Sequence, residues 1–221
     1  MAERPPLKLG VLISGYGSNL QAIIDSIARG ELKAEIPIVV SNRADAPGIA
    51  RAKKHAIETA VIDHRKFATR ESFDRAVANS LQAKNVELVV CAGFMRLFSH
   101  VMLEAFPNRI LNTHNALLPA FPGIHGPRDA IEHGVKIAGC TVFFVTEGVD
   151  TGPIIIQAAV PVLPGDDEPT LAARIVEQEH RIYPYAIRLY QEGRLEIAGR
   201  KVIVRDAPTD PATAIINPAL R

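Results

Sequence analysis

The chain of 221 residues has no tryptophan, two cysteines and an aromatic content of only 5%. Cys91 and Cys140 each sit inside an apolar run. Such a pair gives little basis for a disulfide framework and fits buried, reduced thiols in a cytoplasmic setting. Excess charge is also missing, since 25 basic residues face 24 acidic ones for a net of +1. Without a bulk field there is no electrostatic case for nucleic acid or a membrane surface as partner. No apolar run reaches the roughly 18 residues that span a bilayer. The opening Met-Ala-Glu-Arg-Pro-Pro leads into an apolar segment of strand size, which is not the pattern of a secretory signal. What remains is an ordinary globular composition, 48% hydrophobic and 22% charged, long enough to bury a core as one domain.

Leu7 to Ile13 is a β-branched apolar run, the pattern of a strand buried on both faces. Ser14-Gly-Tyr-Gly-Ser-Asn19 follows, then an amphipathic helix from about Leu20 to Ala28, with Ser18 or Asn19 as its expected cap. Strand, glycine turn and helix start together form a ready anion site. The third glycine of a dinucleotide fingerprint is absent, because Leu20 stands there. A monophosphate site is therefore the preferred reading, ahead of a plain turn and of a dinucleotide site.

Further strands are expected at Ile36 to Val40, Thr59 to Ile62, Val86 to Ala92 and from Ile110 to His114. Helices are expected at Ile49 to His55, Arg70 to Ala83, and from a Ser99 cap to Phe106. Phe73, Val77 and Leu81 give the second of these its apolar face. Alternation of this kind predicts an α/β fold with a doubly wound, mostly parallel sheet. Ligands of such sheets sit beyond the carboxyl ends of the strands, where Gly15–Asn19, Met95–Phe98 and Asn112–His114 all fall.

The later part reads differently. A helix from Arg128 to His133 precedes strands Val135 to Val145 and Ile154 to Val162, joined by a tight loop and therefore antiparallel. A helix from Pro169 to Gln191 follows, which Pro184 should break or kink. A short hairpin, Arg194 to Ile197 and Lys201 to Val204, ends a single domain of residues 1–204. Residues 205–221 read as an extended or disordered tail.

Asn112 and His114 are two apart, so on a strand they share a face. An amide beside an imidazole can polarise a carbonyl and move a proton. Two satisfied polar residues at a strand end fit the spacing equally well. Asp150, beside Gly152-Pro153, reads by composition as a turn former. Arg70 stands near a helix start, where the dipole disfavours a cation.

Four motifs occur in a fixed order: Gly15-Tyr-Gly-Ser-Asn-Leu-Gln21, Gly93-Phe-Met-Arg96, Asn112-x-His114 with Leu117-Leu-Pro119, and Asp150-x-Gly-Pro153. Over about residues 8 to 200 this set resembles the folate-dependent formyltransferases. The resemblance implies a Rossmann-like formyltransferase fold. It also implies formyl transfer from 10-formyltetrahydrofolate, as co-substrate, to the amine of glycinamide ribonucleotide in de novo purine biosynthesis. Asn112, His114 and Asp150 would be catalytic. Gly17, Ser18 and Asn19 would hold the substrate phosphate, with Glu179 against the ribonucleotide from the opposite wall. Arg70, Met95, Arg96, Leu97, Phe98 and Asn112 would take the folate, and Thr146, Glu147, Gly148 and Val149 would close over its pterin. The N-terminal half would be the phosphate-binding part and the C-terminal half the folate-binding part. Only small-molecule partners are expected, with no metal, in a monomer or homodimer.

The sequence departs from that family at Asn115 and Ala116, where Pro-Ser is usual, and at Pro127, where a second histidine is common. Formyltetrahydrofolate hydrolase is the nearest alternative activity, but it resembles this domain with an added N-terminal regulatory domain, for which the strand at Leu7 leaves no room. Methionyl-tRNA formyltransferase carries an added nucleic-acid-binding domain and a basic surface. A non-catalytic nucleotide-binding domain gives no reason for Asn112, His114 and Asp150 to occur together. A dehydrogenase would need the third glycine and an acidic residue near Ser41-Asn-Arg43.

Overall fold

The computed structural model describes residues 5–207. Nine strands form one sheet: β1 Leu7–Ile13, β2 Ala34–Ser41, β3 Thr59–Val61, β4 Leu88–Cys91, β5 Ile110–His114, β6 Ile137–Phe144, β7 Ile154–Pro161, β8 Leu195–Ala198 and β9 Lys201–Val204. The helices are α1 Ser18–Ala28, α2 Pro47–Lys54, α3 Arg70–Gln82, α4 His100–Ala105, α5 Gly126–Glu132 and α6 Glu168–Gln191. Strand order is β3-β2-β1-β4-β5-β6-β7-β9-β8. β1 to β5 pair in parallel, β6 runs antiparallel to both β5 and β7, β7 pairs in parallel with β9, and β8 and β9 form an antiparallel hairpin. The chain winds outward from β1 through β2 and β3, then returns to lay β4 on the other side of β1. That reversal opens a crevice between the ends of β1 and β4, where open α/β sheets bind ligands. Ser14 N–H donates to Gly93 O at 3.0 Å across it.

Side-chain alternation splits the core between two faces. Leu9, Val11 and Ile13 pack with Leu20 and Ile23 of α1 and Tyr183 and Ile187 of α6. Leu12, Val40 and Val89 pack with Phe73, Val77 and Leu81 of α3 and with Met102 of α4. The Tyr183 hydroxyl lies 3.0 Å from Cys91 O and 2.9 Å from Leu111 O, which ties α6 to β4 and β5 directly under the crevice.

Pro184 does not interrupt α6, which runs unbroken from Glu168 to Gln191. A proline removes one internal hydrogen bond. Burial of Leu171, Ile175, Tyr183, Pro184 and Ile187 along one face outweighs that loss. The caps also differ from expectation. Gly17, at φ 68° and ψ 37°, is the N-cap of α1, and no side chain caps it. Ser99 is the N-cap of α4 but makes no capping bond, because its hydroxyl goes to Asp74 instead. Among the described residues, capping boxes stand at Thr69 and Asp167. Of the expected tail, only Arg205 to Ala207 is described, and 208–221 lies outside the described residues.

Candidate active site

The glycine turn reaches α1 through Gly17, whose positive φ suits glycine. With no side-chain cap, the first-turn amides of α1 are left free, as an anion cradle requires. Ser18 borders an opening of ≈ 350 Å³ together with Gln21, Arg51 and His180. Arg51 reaches across from α2, donating from Nε to Tyr16 O at 3.3 Å and from Nη1 to Gln21 Oε1 at 3.0 Å. It braces the turn and adds a cation beside it. No periodicity or motif singled it out.

Asn19 turns inward and is buried. Its Nδ2 donates to Glu179 Oε2 at 3.0 Å, and its Oδ1 has no hydrogen-bond partner among the described residues. Glu179, 6% exposed on α6, also accepts from Thr113 Oγ1 at 3.4 Å. Burial pushes its carboxyl up, while the bonds from Asn19 and Thr113 and the nearby His114 pull it down.

β5 carries Asn112 and His114 to the same opening, ≈ 300 Å³, which Asn19, Val149, Asp150 and Glu179 also line. His114 Nε2 is 2.8 Å from Phe121 O. A carbonyl only accepts, so Nε2 carries a proton and donates it. The other ring nitrogen, Nδ1, faces Asp150 Oδ2 at 3.6 Å. That separation exceeds the ~3.2 Å of an ordinary hydrogen bond but is close enough for an ion pair once Nδ1 is protonated. Asp150 has φ 52°, a left-handed setting uncommon outside glycine but tolerated by Asp and Asn. Gly123 N–H donates to the same Oδ2 at 2.9 Å. The Pro-rich loop after β5 therefore orients both members of the pair, one through a carbonyl and one through an amide.

The residue replacing the family's proline has a visible role. Asn115 lies against Gly126, where a Cβ would be 2.6 Å from the Asn115 carbonyl oxygen and 2.8 Å from its Oδ1. Ala116 is buried, and its carbonyl accepts from Thr141 Oγ1 at 2.7 Å.

A second cleft, ≈ 390 Å³, is lined by Arg70, Arg96, Leu97, Phe98, Thr146, Glu147 and Gly148. Phe94, Arg96, Leu97, Asn112 and Asp150 border both clefts, so the two meet along a shared wall made by the 94–97 loop, β5 and Asp150. Each draws on both halves of the chain: Arg70 and Glu147 face the second, Asn19 and Glu179 the first. Met95 lines the first cleft, with its side chain outward at 67% exposure and its backbone N–H bonded to Ser14 Oγ at 2.9 Å. Gly17 borders neither cleft, and Ser18 borders the Arg51 opening instead. Among the described residues no group of three or more His, Cys, Asp or Glu could hold a metal ion, and no helix is long and apolar enough to cross a membrane.

Comparison with known proteins bears on this geometry. The formyl transferase family matches residues 7–187. Phosphoribosylglycinamide formyltransferase of Escherichia coli (strain K12) is 43% identical over 191 residues, 86% of this chain and 90% of that protein. The trifunctional purine biosynthetic protein adenosine-3 of Drosophila pseudoobscura pseudoobscura is 46% identical over 95% of this chain, which spans only 15% of that relative's length. The crystal structure of glycinamide ribonucleotide transformylase 1 from Symbiobacterium toebii superposes with a TM-score of 0.89 at 55% identity, covering 90% of this chain and 94% of that one. Fold, motif order and a match over most of the length agree: the chain belongs to the formyl transferase family.

Proposed function

We propose that the chain transfers the formyl group of 10-formyltetrahydrofolate to the amine of glycinamide ribonucleotide, giving N-formylglycinamide ribonucleotide and tetrahydrofolate in de novo purine biosynthesis. The observation that carries this reading is the meeting of two clefts along a shared wall that includes Asn112 and Asp150, with His114 beside them. A transfer between two bound substrates needs such a junction, because proximity replaces a bimolecular encounter. Relatives sharing 43% identity over most of their own length carry this activity in their name.

The chemistry divides among the residues as follows. The amine nitrogen attacks the formyl carbon, and the carbonyl oxygen gains the electron pair. The Asn112 amide donates to that oxyanion. Collapse of the intermediate breaks the bond to the folate nitrogen, which takes a proton as the amine loses one. His114 holds its Nε2 proton against Phe121 O, so Nδ1, facing Asp150, is the atom that exchanges. The free first-turn amides of Gly17, Ser18 and Asn19 hold the phosphate, with Arg51 adding charge. Glu179 stands against the ribose. Arg70, Arg96, Leu97, Phe98 and residues 146–148 take the folate, with Val149 turned to the first cleft. The site resides in one domain in a cytoplasmic protein, in keeping with its two buried, unpaired thiols.

Tetrahydrofolate release from 10-formyltetrahydrofolate tests the reading. Release is expected only when glycinamide ribonucleotide is present. Equal release without it would mark a hydrolase.

A further inference from the structure

Beside the second cleft lies a carboxylate that no step of the proposed reaction uses. Asp74, on α3, is 0% exposed. A charge in such a place is destabilising unless hydrogen bonds hold it. One oxygen is held, since Oδ2 accepts from the Ser99 backbone N–H at 2.5 Å and from the Ser99 hydroxyl at 2.7 Å. The other, Oδ1, is shut off from solvent with no hydrogen-bond partner among the described residues. Burial pushes this carboxyl up, and the Ser99 bonds, then the charges of Arg70 and Arg96, pull it down.

Three further observations attach Asp74 to the 93–99 loop. Ser99 ends that loop and directs its hydroxyl to Asp74 rather than to the helix it starts. Arg96 lies over Phe73, the residue before Asp74, with its guanidinium carbon 5.6 Å from the ring centroid. Arg96 Nε is itself a buried donor without a hydrogen-bond partner among the described residues. The two unpaired atoms lie on the two segments, α3 and the loop, that the Ser99 bonds and the Arg96–Phe73 stack bring together. Arg70, one turn upstream on α3, lines the same cleft as Arg96.

We infer that Asp74 is a positioning residue of the folate-side cleft: its charged oxygen pins the 93–99 loop through both Ser99 bonds, fixing the face that Arg96 and the rest of that loop present to the co-substrate. This rests on the folate reading of that cleft. Asp74 lines neither cleft, and of the residues beside it Arg70 and Ser99 border the second cleft alone while Arg96 borders both, so its larger effect falls on folate binding rather than on the ribonucleotide or the transfer step.

Asp74→Asn separates charge from shape, because the amide keeps an oxygen for both Ser99 bonds. Tetrahydrofolate is titrated calorimetrically into wild type and variant, and KM is measured for both substrates. The Kd for tetrahydrofolate and the KM for 10-formyltetrahydrofolate are expected to rise about tenfold, the difference between a charged and a neutral acceptor. The ribonucleotide KM and kcat are expected to stay within about twofold. Unchanged folate binding overturns the inference, and so does a parallel fall in both substrates' binding, kcat and Tm, which would mark a purely structural residue. Ser99→Ala keeps the charge and removes one bond. It is expected to raise the same Kd about threefold, and no change overturns the pin. A wild type that binds no tetrahydrofolate removes both this inference and the folate reading. A wild type that binds it no better than Asp74→Asn removes the inference alone.

Discussion

Replacing Asp150 by asparagine isolates its charge from its shape. The left-handed backbone at φ 52° accepts asparagine, and the amide oxygen still receives the Gly123 N–H. What disappears is a negative charge 3.6 Å from His114 Nδ1. At an effective dielectric of about 20, unit charges at that distance attract by about 4 to 5 kcal/mol. The side chains are 6% and 13% exposed, so partial screening reduces the usable part to about 2 to 3 kcal/mol. Spread over the transition state, that is a loss of about 10²-fold in kcat. Tetrahydrofolate formation under saturating substrates reads kcat, and a thermal melt checks the fold. KM for both substrates and Tm are expected to hold. Turnover near that of wild type would refute the role and leave Asp150 as a turn former. Asp150→Ala should lose as much turnover and also lower Tm, since alanine tolerates the left-handed setting poorly and strands the Gly123 amide.

Glu179→Gln addresses the buried carboxyl on α6. Its pKa is raised above the ordinary 4.5, so the folded state binds its proton more tightly than the unfolded one. Stability attributable to this group is therefore full below about pH 4 and falls as pH rises through the raised value. The glutamine variant should show a flatter decline of Tm above pH 4.5, and a decline as steep as in wild type would contradict the assignment. Gly126→Ala places a methyl 2.6 Å from Asn115 O and should cost about 1 to 3 kcal/mol in denaturant unfolding, with reduced turnover because Asn115 adjoins His114. Ser18→Asp puts a like charge at the α1 cradle and should raise the ribonucleotide KM at unchanged folate KM. An unchanged ribonucleotide KM would place the phosphate elsewhere.

Strands were the legible part of this fold. β1 and β5 match their expected spans residue for residue; β1 does so because a strand buried on both faces leaves a nearly continuous apolar run, whereas β5 is marked only by Ile110 and Leu111 running into polar residues. The antiparallel turn from β6 into β7 was legible from its tight glycine-proline loop. Pro184 does not break α6, because the buried face that packs on the sheet counts for more than the local propensity of one residue. The α1 cap misled because Ser18 and Asn19 are good capping types, yet Asn19 is drawn inward by Glu179, 160 residues away. Asn112, His114 and Asp150 came together as the motif order implied. Their orientation by Phe121 and Gly123 was hidden, since contacts from side chain to loop backbone leave no periodic trace. Asp74 and Arg51 were hidden for the same reason, each being one polar residue on an otherwise ordinary amphipathic helix.

The bond from Asn19 to Glu179 bears on how the protein acquires activity. It joins the first loop to the last long helix, and Tyr183 of that helix reaches back to β4 and β5. Contacts this far apart in sequence close only after large loops have been ordered, so they form late. The glycine turn, β5 and the 93–99 loop can all be present in a partly folded chain while the wall bearing Glu179 is still missing. The wall bearing Glu179 is therefore complete only once α6 has docked on the sheet, which makes the last long helix the keystone of the first loop.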